Sequence, residues 1–483
     1  MAGPRARRIN IPLRRSALVC AAMLFSLLGN VTFIQAFESQ SLNADPRNKR
    51  TLIARFDHPR GDITTREGTV IATSRPAGSG PYQYQRSYPY GPLYAPVTGY
   101  ASLYSTTGIE RAQDAVLSGD DPKVRVHSLV RQGTVQGGDV RLTIDERAQW
   151  AAYEGLSATG RRGAAVAIDP MTGAILALVS FPSYDPNQYT TFDTRALVGL
   201  DERLRADPSR PLLNRALNRA YPPGSTFKVV TAAAALTSGE YGPSTAVEGP
   251  SRLPLPGTSV SLPNAGGRPC DEESLAAAFQ QSCNTAFASI GLGLGQDSLR
   301  DQADAFGFDA DDLTVPLPVA RSAFPAGMSR SETAMASIGQ FDVRATPLMI
   351  ALLSAAVGNG GVAMRPYLVE EVRLPDGSVV NRATPSEYRT AMPPDVADDL
   401  TAMMVAVTRP GGTGTAAAIP GLDVAAKTGT AENVPGALSH AVFTAFAPAE
   451  APQVAVGVVV EQAGSGGDIA APIARHIIQA LLG

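Results

Sequence analysis

Tyr221-Pro222-Pro223-Gly224-Ser225-Thr226-Phe227-Lys228 runs straight into Val229-Val230-Thr231-Ala232-Ala233-Ala234-Ala235-Leu236, and this leaves the backbone few choices. Two prolines and a glycine break the chain, and a run of good helix formers follows. Ser225 therefore stands at a helix start with Lys228 one turn later. Residues three apart share a helix face, so the lysine amine can reach the serine hydroxyl. The helix N-terminus also offers free backbone N–H groups to whatever the serine attacks. A nucleophile, a base and part of an oxyanion site fit into one turn. By itself the tetrad reads equally well as a Ser N-cap followed by a solvated Lys.

The chain has only 4 histidines and no G-x-S-x-G elbow, which leaves a Ser-His-Asp triad unsupported. Two further short motifs follow in order, Ser282-Cys283-Asn284 and Lys427-Thr428-Gly429-Thr430. Ala426-Lys427-Thr428 has the look of a phosphate loop but lacks the glycine needed before the lysine. No metal-ligand cluster or cofactor motif is found. The formal net charge of −3 argues against a nucleic-acid partner.

At 483 residues, 44% of them hydrophobic, the chain can bury a large core and is expected to hold two folded modules. Arg5, Arg7, Arg8, Arg14 and Arg15 precede the first acidic residue and flank Ser16–Phe37, which carries no charge. At roughly 1.5 Å per residue such a segment spans the hydrocarbon core of a bilayer. Arginines before it and Glu38 after it place the N-terminus in the cytoplasm. A cleaved signal peptide is the competing reading. Its best cut site, Ile34-Gln35-Ala36, has a bulky isoleucine where a small residue is wanted, so an uncleaved anchor is favoured. Cys20 lies within the span. Cys270 and Cys283 are then the only thiols outside the cytoplasm, and either a disulfide or two packed free thiols is compatible with that.

Arg60-Gly61-Asp62-Ile63 and Arg66–Ala72 read as two short strands around a Glu67-Gly68 turn. Residues 81–104, rich in Tyr, Pro and Gly, read as an extended loop whose rings pack on their own module. Leu142-Thr143-Ile144-Asp145 is a strand ending in an N-cap, with a helix from Glu146 to Gly155. Ala164–Ile168 and Ala174–Val179 form an apolar hairpin. Mostly helical sequence follows to about Ala356, apart from a Pro375-Asp376-Gly377 turn further on between short strands. Strands return at Val424–Thr430, Ala441–Ala447 and Gln453–Val460, and Ile469–Leu482 closes the chain as an apolar helix.

The three motifs, together with Gly339-Gln340, Thr346-Pro347-Leu348 and His440-Ala441-Val442-Phe443, resemble the penicillin-binding proteins, the serine D,D-transpeptidases. The R-G-D-I hairpin, Ala44-Asp45-Pro46-Arg47-Asn48 and Leu93–Gly99 resemble class B members, nearest the actinobacterial penicillin-binding protein A group. The resemblance implies an α/β (α+β) transpeptidase fold, with a five-stranded antiparallel sheet flanked by helices and a mainly helical subdomain. Before it would come an extended β-rich N-terminal module and one transmembrane helix. The expected organisation is a cytoplasmic tail at 1–15, an anchor at 16–37, a non-catalytic, dimerisation or pedestal-like module at 38–156, and a transpeptidase domain at 157–483.

In that family's chemistry Ser225 attacks the carbonyl between the two D-alanines ending a peptidoglycan stem peptide. A neighbouring stem's amine then closes the cross-link, and β-lactams acylate the same serine. Lys228 is the base, which requires a neutral amine; in water at pH 7 that state costs about 4.6 kcal/mol. Burial and a second cation, Lys427, lower the cost. Ser282 relays a proton, Asn284 bonds the substrate backbone, and Lys427 and Thr428 on an edge strand meet the terminal carboxylate. The N–H groups of Ser225 and Thr430 form the oxyanion hole. Gly429 is expected where the substrate backbone passes close to the strand. His440 is open to a titrating or a structural reading. Val442 stands where the family often has tryptophan. With no room for a glycosyltransferase domain, glycan synthesis, and the division or elongation machinery, would be partner functions. A catalytically minor scaffold of that machinery is one alternative. A β-lactam hydrolase or sensor is another, although the E-x-x-L-N signature fails at Glu371-Val372-Arg373-Leu374-Pro375.

Overall fold

Helix α1 (Pro4–Phe33) continues through a wider turn at Ile34–Glu38. Ile11–Phe37, 27 residues of mean hydropathy 2.1, is long and apolar enough to cross a membrane, and it is not packed against protein. The computed structural model describes residues 4–38, 53, 55–78, 80–125, 136–267, 269–270, 273–433 and 436–483. The Ala44–Asn48 stretch lies outside the described residues.

Strands β1 (Ile63–Thr64) and β2 (Val70–Pro76) pair antiparallel around the expected Glu67-Gly68 turn, closed by Gly68 N donating to Thr65 O. With β3 (Tyr84–Ser87) and β4 (Asp139–Leu142) they form most of one sheet, β4 running parallel to β1. The first arginine of R-G-D-I is buried rather than solvated. Arg60 meets Glu110 at 3.0 Å and Asp114 at 2.8 Å, Arg86 meets Glu110 from the other side, and Tyr88 Oη donates to Glu110 at 3.2 Å. Burial alone would raise the Glu110 carboxyl, but Arg86 and Arg60 outweigh it and hold it below the ordinary range.

The segment 81–104 departs from expectation. It folds into tight turns, a 3-10 turn at Gly91–Leu93 and a helical turn at Ala95–Thr98, with Tyr88, Tyr94 and Tyr100 buried. Tyr100 stacks face to face on Tyr189 at 3.8 Å, with Tyr184 edge-on to both. Its rings thus pack on residues beyond the module they were assigned to, because offset and T-shaped partners are supplied there.

Asp145 caps α2 (Glu146–Ala158), its carboxylate accepting from Arg147 N and Ala148 N. Then β5 (Gly163–Ile168) and β6 (Ile175–Phe181) begin the main sheet. The helical region holds α3 (Thr194–Ala206), α4 (Lys228–Thr237), a small hairpin of β7 (Arg252–Pro254) and β8 (Ser261–Pro263), α5 (Leu275–Gln280), α6 (Asn284–Phe306), α7 (Arg330–Ala336) and α8 (Pro347–Gly358). After β9 (Val362–Met364) come β10 (Val369–Arg373) and β11 (Val379–Arg382), β12 (Glu387–Thr390) and α9 (Pro394–Thr408). The chain ends with β13 (Ala425–Ala431), β14 (His440–Ala447), β15 (Val454–Val460) and α10 (Ala471–Leu482).

The main sheet has the order β13-β14-β15-β5-β6, all antiparallel, so the Lys427 strand lies at its edge. Alternation along β5 and β15 divides the side chains between two covers. Ala165, Ala167, Val456, Val458 and Val460 join α2 and α10 in one core cluster, and α8 packs on β15 from the other side. Each buried Ile of α10 (Ile473, Ile477, Ile478) contributes about 1.5–3 kcal/mol. Thr346 caps α8 through Met349 N, with Pro347 at the first helical position.

The hairpin β10–β11, with its Pro375-Asp376-Gly377 turn, does not join the main sheet. It adds to β4, giving the order β11-β10-β4-β1-β2-β3. Glu371 on β10 is buried there against Arg141 (3.2 Å), Arg382 (2.9 Å) and Arg373. It is a structural carboxylate, in keeping with the failed E-x-x-L-N match. The N-terminal strands and the chain's later half are thus knitted into one sheet.

Breaking one partner of a buried ion pair costs about 3–5 kcal/mol because the other charge is left unpaired. Glu110→Ala, which strands both Arg60 and Arg86, should lower unfolding stability in chemical denaturation by that order. An unchanged midpoint would mean these arginines reach solvent.

Candidate active site

The nucleophile turn is built before the helix proper. Gly224–Phe227 form a 3-10 turn and α4 begins at Lys228. Gly224 N donates to Gly339 O at 3.0 Å. Gly339, at φ +72°, is pressed so close that a Cβ would overlap Gly224 O and reach Phe227 Cβ. A glycine there lets the Gly339-Gln340 segment buttress the turn carrying Ser225.

Lys228 and Lys427 are both fully buried. Lys228 Nζ donates to Ser282 O at 2.8 Å and Asn284 Oδ1 at 2.7 Å, and lies 3.3 Å from Ser282 Oγ. Lys427 Nζ donates to the same Ser282 Oγ at 2.8 Å and to Thr428 O at 3.2 Å. Phe287 faces the first amine at 5.6 Å and Phe279 the second at 5.5 Å. Burial, and then the neighbouring Lys427, push Lys228 well below its ordinary value. Burial alone lowers Lys427 to about 7. A neutral Lys228 has two N–H bonds and one lone pair. The two short contacts are to oxygens that only accept, so the protons go there and the lone pair remains for a hydroxyl.

None of these bonds runs from Lys228 to Ser225, where the spacing of the tetrad had aimed the amine. The reason is local. Ser282 holds a left-handed backbone at φ +58°, which turns its carbonyl onto the amine. Such a conformation in serine costs on the order of 1–3 kcal/mol and persists only when its surroundings impose it. Here Cys283 N donates to Ala278 O at 2.8 Å, and Cys283 is bonded to Cys270 by a disulfide.

Ser225, Ser282, Asn284, Thr428 and Thr430 line one cavity of about 730 Å³, with the two lysines buried behind it. Asn284 Oδ1 is occupied by Lys228, while its Nδ2 makes only a 3.4 Å contact to Pro263 O. Gly429 is confined to glycine by the chain itself. Its Cβ would lie 2.8 Å from Pro223 O and 3.0 Å from Thr226 Cγ2, so the chain's own nucleophile turn occupies that space. His440 lies beside the cavity without lining it. Its Nδ1 accepts from Gln462 N at 3.0 Å, its ring meets Tyr221 edge-on, and burial lowers it despite Glu461, so it is neutral and structural. Val442 is fully buried in β14.

Sequence reasoning missed Thr413, whose hydroxyl is 2.7 Å from that of Thr428 in the cavity wall. It also missed Asn264, which bonds Thr285 N and Oγ1 and so ties the β7–β8 hairpin to the start of α6. The glycine-flanked run Gly411-Gly412-Thr413-Gly414 was a usable signal for the first. Among the described residues no group of side chains could hold a metal ion.

Residues 163–479 match the penicillin binding protein transpeptidase domain family, and residues 60–140 match the penicillin binding protein A dimerisation domain family. The chain is 45% identical to the peptidoglycan D,D-transpeptidase PbpA of Mycolicibacterium smegmatis, covering 98% of this chain and 99% of that one. It is 42% identical to PbpA of Mycobacterium tuberculosis, again over 98% and 99%. Among solved structures, penicillin-binding protein A from M. tuberculosis as a ceftriaxone acyl-enzyme complex superposes with a TM-score of 0.85 at 41% identity, over 89% of this chain and all of that one.

Two outcomes follow from the site's geometry. Lys427→Ala removes a charge that depresses Lys228, so the Lys228 value rises and the amine stays protonated to higher pH. The acid limb of the acylation rate profile should move to higher pH; an unmoved limb would mean that the lysines are not coupled. Reducing the Cys270–Cys283 bond frees the backbone that holds Ser282. Acylation of Ser225 by a fluorescent penicillin should slow about tenfold, with circular dichroism unchanged. Equal rates with and without reductant would remove the tether from the mechanism.

Proposed function

The chain belongs to the class B penicillin-binding protein transpeptidases, and from that membership we propose how this peptidoglycan D,D-transpeptidase works. Ser225 is the nucleophile and Lys228 its base. The Ser225 hydroxyl proton passes to the neutral Lys228 amine as Oγ attacks the penultimate D-alanine carbonyl. The N–H groups of Ser225 and Thr430 hold the resulting oxyanion, an interaction typically worth about 2.7–4 kcal/mol per donor. The proton then moves through Ser282 Oγ to the departing D-alanine nitrogen, the C–N bond breaks and an ester to Ser225 remains. A stem amine attacks that ester, its proton returns by the same path, and the cross-link forms as Ser225 leaves.

One observation carries this reading. Ser282 Oγ is shared by two buried lysine amines, at 3.3 and 2.8 Å, beside a serine in an open cavity. Asn284 Nδ2 would meet the donor backbone. Lys427, Thr428 and Thr430, with Gly429 between them, would meet the terminal carboxylate, and Thr413 would hold the Thr428 hydroxyl in place.

β-Lactams acylate the same serine. For this chain we assign residues 38–156 to the non-catalytic module and 157–483 to catalysis. The first fifteen residues are placed in the cytoplasm, residues 16–37 in the membrane and the catalytic domain outside. Glycosyltransferase and division or elongation proteins are the partners such an arrangement calls for.

A membrane-impermeant fluorescent penicillin added to intact spheroplasts should label the full chain, with the adduct mapped to the Tyr221–Lys228 peptide. Ser225→Ala should abolish labelling. A surviving adduct would remove Ser225 from its role, and labelling only after lysis would reverse the topology.

A further inference from the structure

The catalytic cavity has a wall that the reaction at Ser225 does not use. Glu332, Met335 and Ile338 follow one another at intervals of three along α7 and the turn after it, and all three line the cavity. Gly339, directly after Ile338, is the residue that abuts Gly224. The row therefore starts beside the nucleophile turn and leads away from it. By helical rise, Glu332 stands roughly 9 Å farther along than Ile338.

Two exposed apolar side chains from other segments complete this part of the cavity. Val260 comes from the β7–β8 hairpin, and Phe341 is 40% exposed with a left-handed backbone at φ +60°. A bulky residue in that conformation is a genuine outlier, and such outliers concentrate where a site imposes them. Ile338 and Met335 thus form an apolar channel wall that ends on the Glu332 carboxylate, in a cavity also lined by Ser331, Gln340 and Glu432. Among the described residues no lysine or arginine lines this cavity surface.

Glu332 is fixed and ionised. One of its oxygens accepts Ser329 N at 2.7 Å in a reciprocal capping box with the Ser329 side chain, and that bond holds the carboxyl below its ordinary range. The Ser329 hydroxyl adds to this hold on the carboxyl.

We propose that this channel receives the side chain of the donor stem's diamino residue, an aliphatic chain ending in a free amine, with Glu332 bonding the ammonium. The inference rests on the transpeptidase reading above. Cross-linking requires stem peptides to carry a side-chain amine, and the donor is drawn from the same polymer as the acceptor. An attacking acceptor amine must be neutral and at the Ser225 ester. A carboxylate this far from Ser225 would instead keep an amine charged and out of reaction, which suits the donor's own.

The test uses the full chain in detergent micelles and two synthetic donors ending in D-Ala-D-Ala. They differ only in whether the third residue's side-chain amine is free or acetylated, and D-alanine release is measured. The free-amine peptide should have a kcat/KM about tenfold higher, carried by KM, and the preference should weaken with added salt. Glu332→Gln keeps the cap, because glutamine also accepts from the N-cap backbone. It should bring the ratio of the two peptides to about one with Tm unchanged. Phe341→Ala should lower kcat/KM for both peptides while keeping their ratio. Equal rates on both peptides in the native chain would overturn the proposal, as would loss of the preference in Glu432→Gln but not in Glu332→Gln. If neither peptide releases D-alanine and penicillin leaves no adduct at Ser225, the catalytic reading itself fails.

Discussion

Two buried lysine amines share one serine hydroxyl, and among the described residues neither forms an ion pair with a carboxylate. Everything in the site depends on that omission. A carboxylate beside Lys228 would stabilise its charged form and make it useless as a base. Its surroundings offer instead a carbonyl, an amide oxygen and a phenylalanine face. These satisfy N–H bonds without repaying the full cost of burying a charge.

Elsewhere the chain solves the same burial problem the opposite way. Glu110 is closed in by Arg60 and Arg86, and Glu371 by three arginines. There the charges are kept and paired, which fixes the strands they join and does no chemistry. The contrast locates function by physics. Paired buried charges mark the N-terminal sheet as scaffold, and unpaired buried amines mark the cavity as the reactive end of the chain.

The catalytic turn was legible in sequence because it depends on contiguous residues: prolines and a glycine, then helix formers, with Ser225 and Lys228 three apart. The edge position of Lys427 followed from the resemblance, and the succession of two strands, a helical stretch and three strands from the apolar runs. What the sequence did not convey were pairings between distant segments. Nothing in Val369–Arg382 states that this hairpin will leave the main sheet for β4. That choice depends on the arginines arrayed around Glu371. Tyr100 on Tyr189 is likewise a contact between segments whose local composition suggested a self-contained loop. The bond from Lys228 to the Ser282 carbonyl depends on a positive φ at Ser282, and a serine code in a sequence carries no backbone angle. Thr413 had only its glycine-flanked run as a signal, and its bond to the Thr428 hydroxyl exists only in the fold.

Burial pushes both amines down, Lys427 to about 7, and a charge on either repels a charge on the other. Both reach the Ser282 hydroxyl, so the pair titrates as a unit, and a proton on one amine makes a second costlier. Lys427 stands on the edge strand, next to Thr428 and its hydroxyl partner Thr413. Lys228 stands on the other side of Ser282, at the first residue of the helix that follows the Ser225 turn. One hydroxyl separates the two amines, and it is the strained backbone of Ser282, tied down through Cys283, that holds that hydroxyl between them.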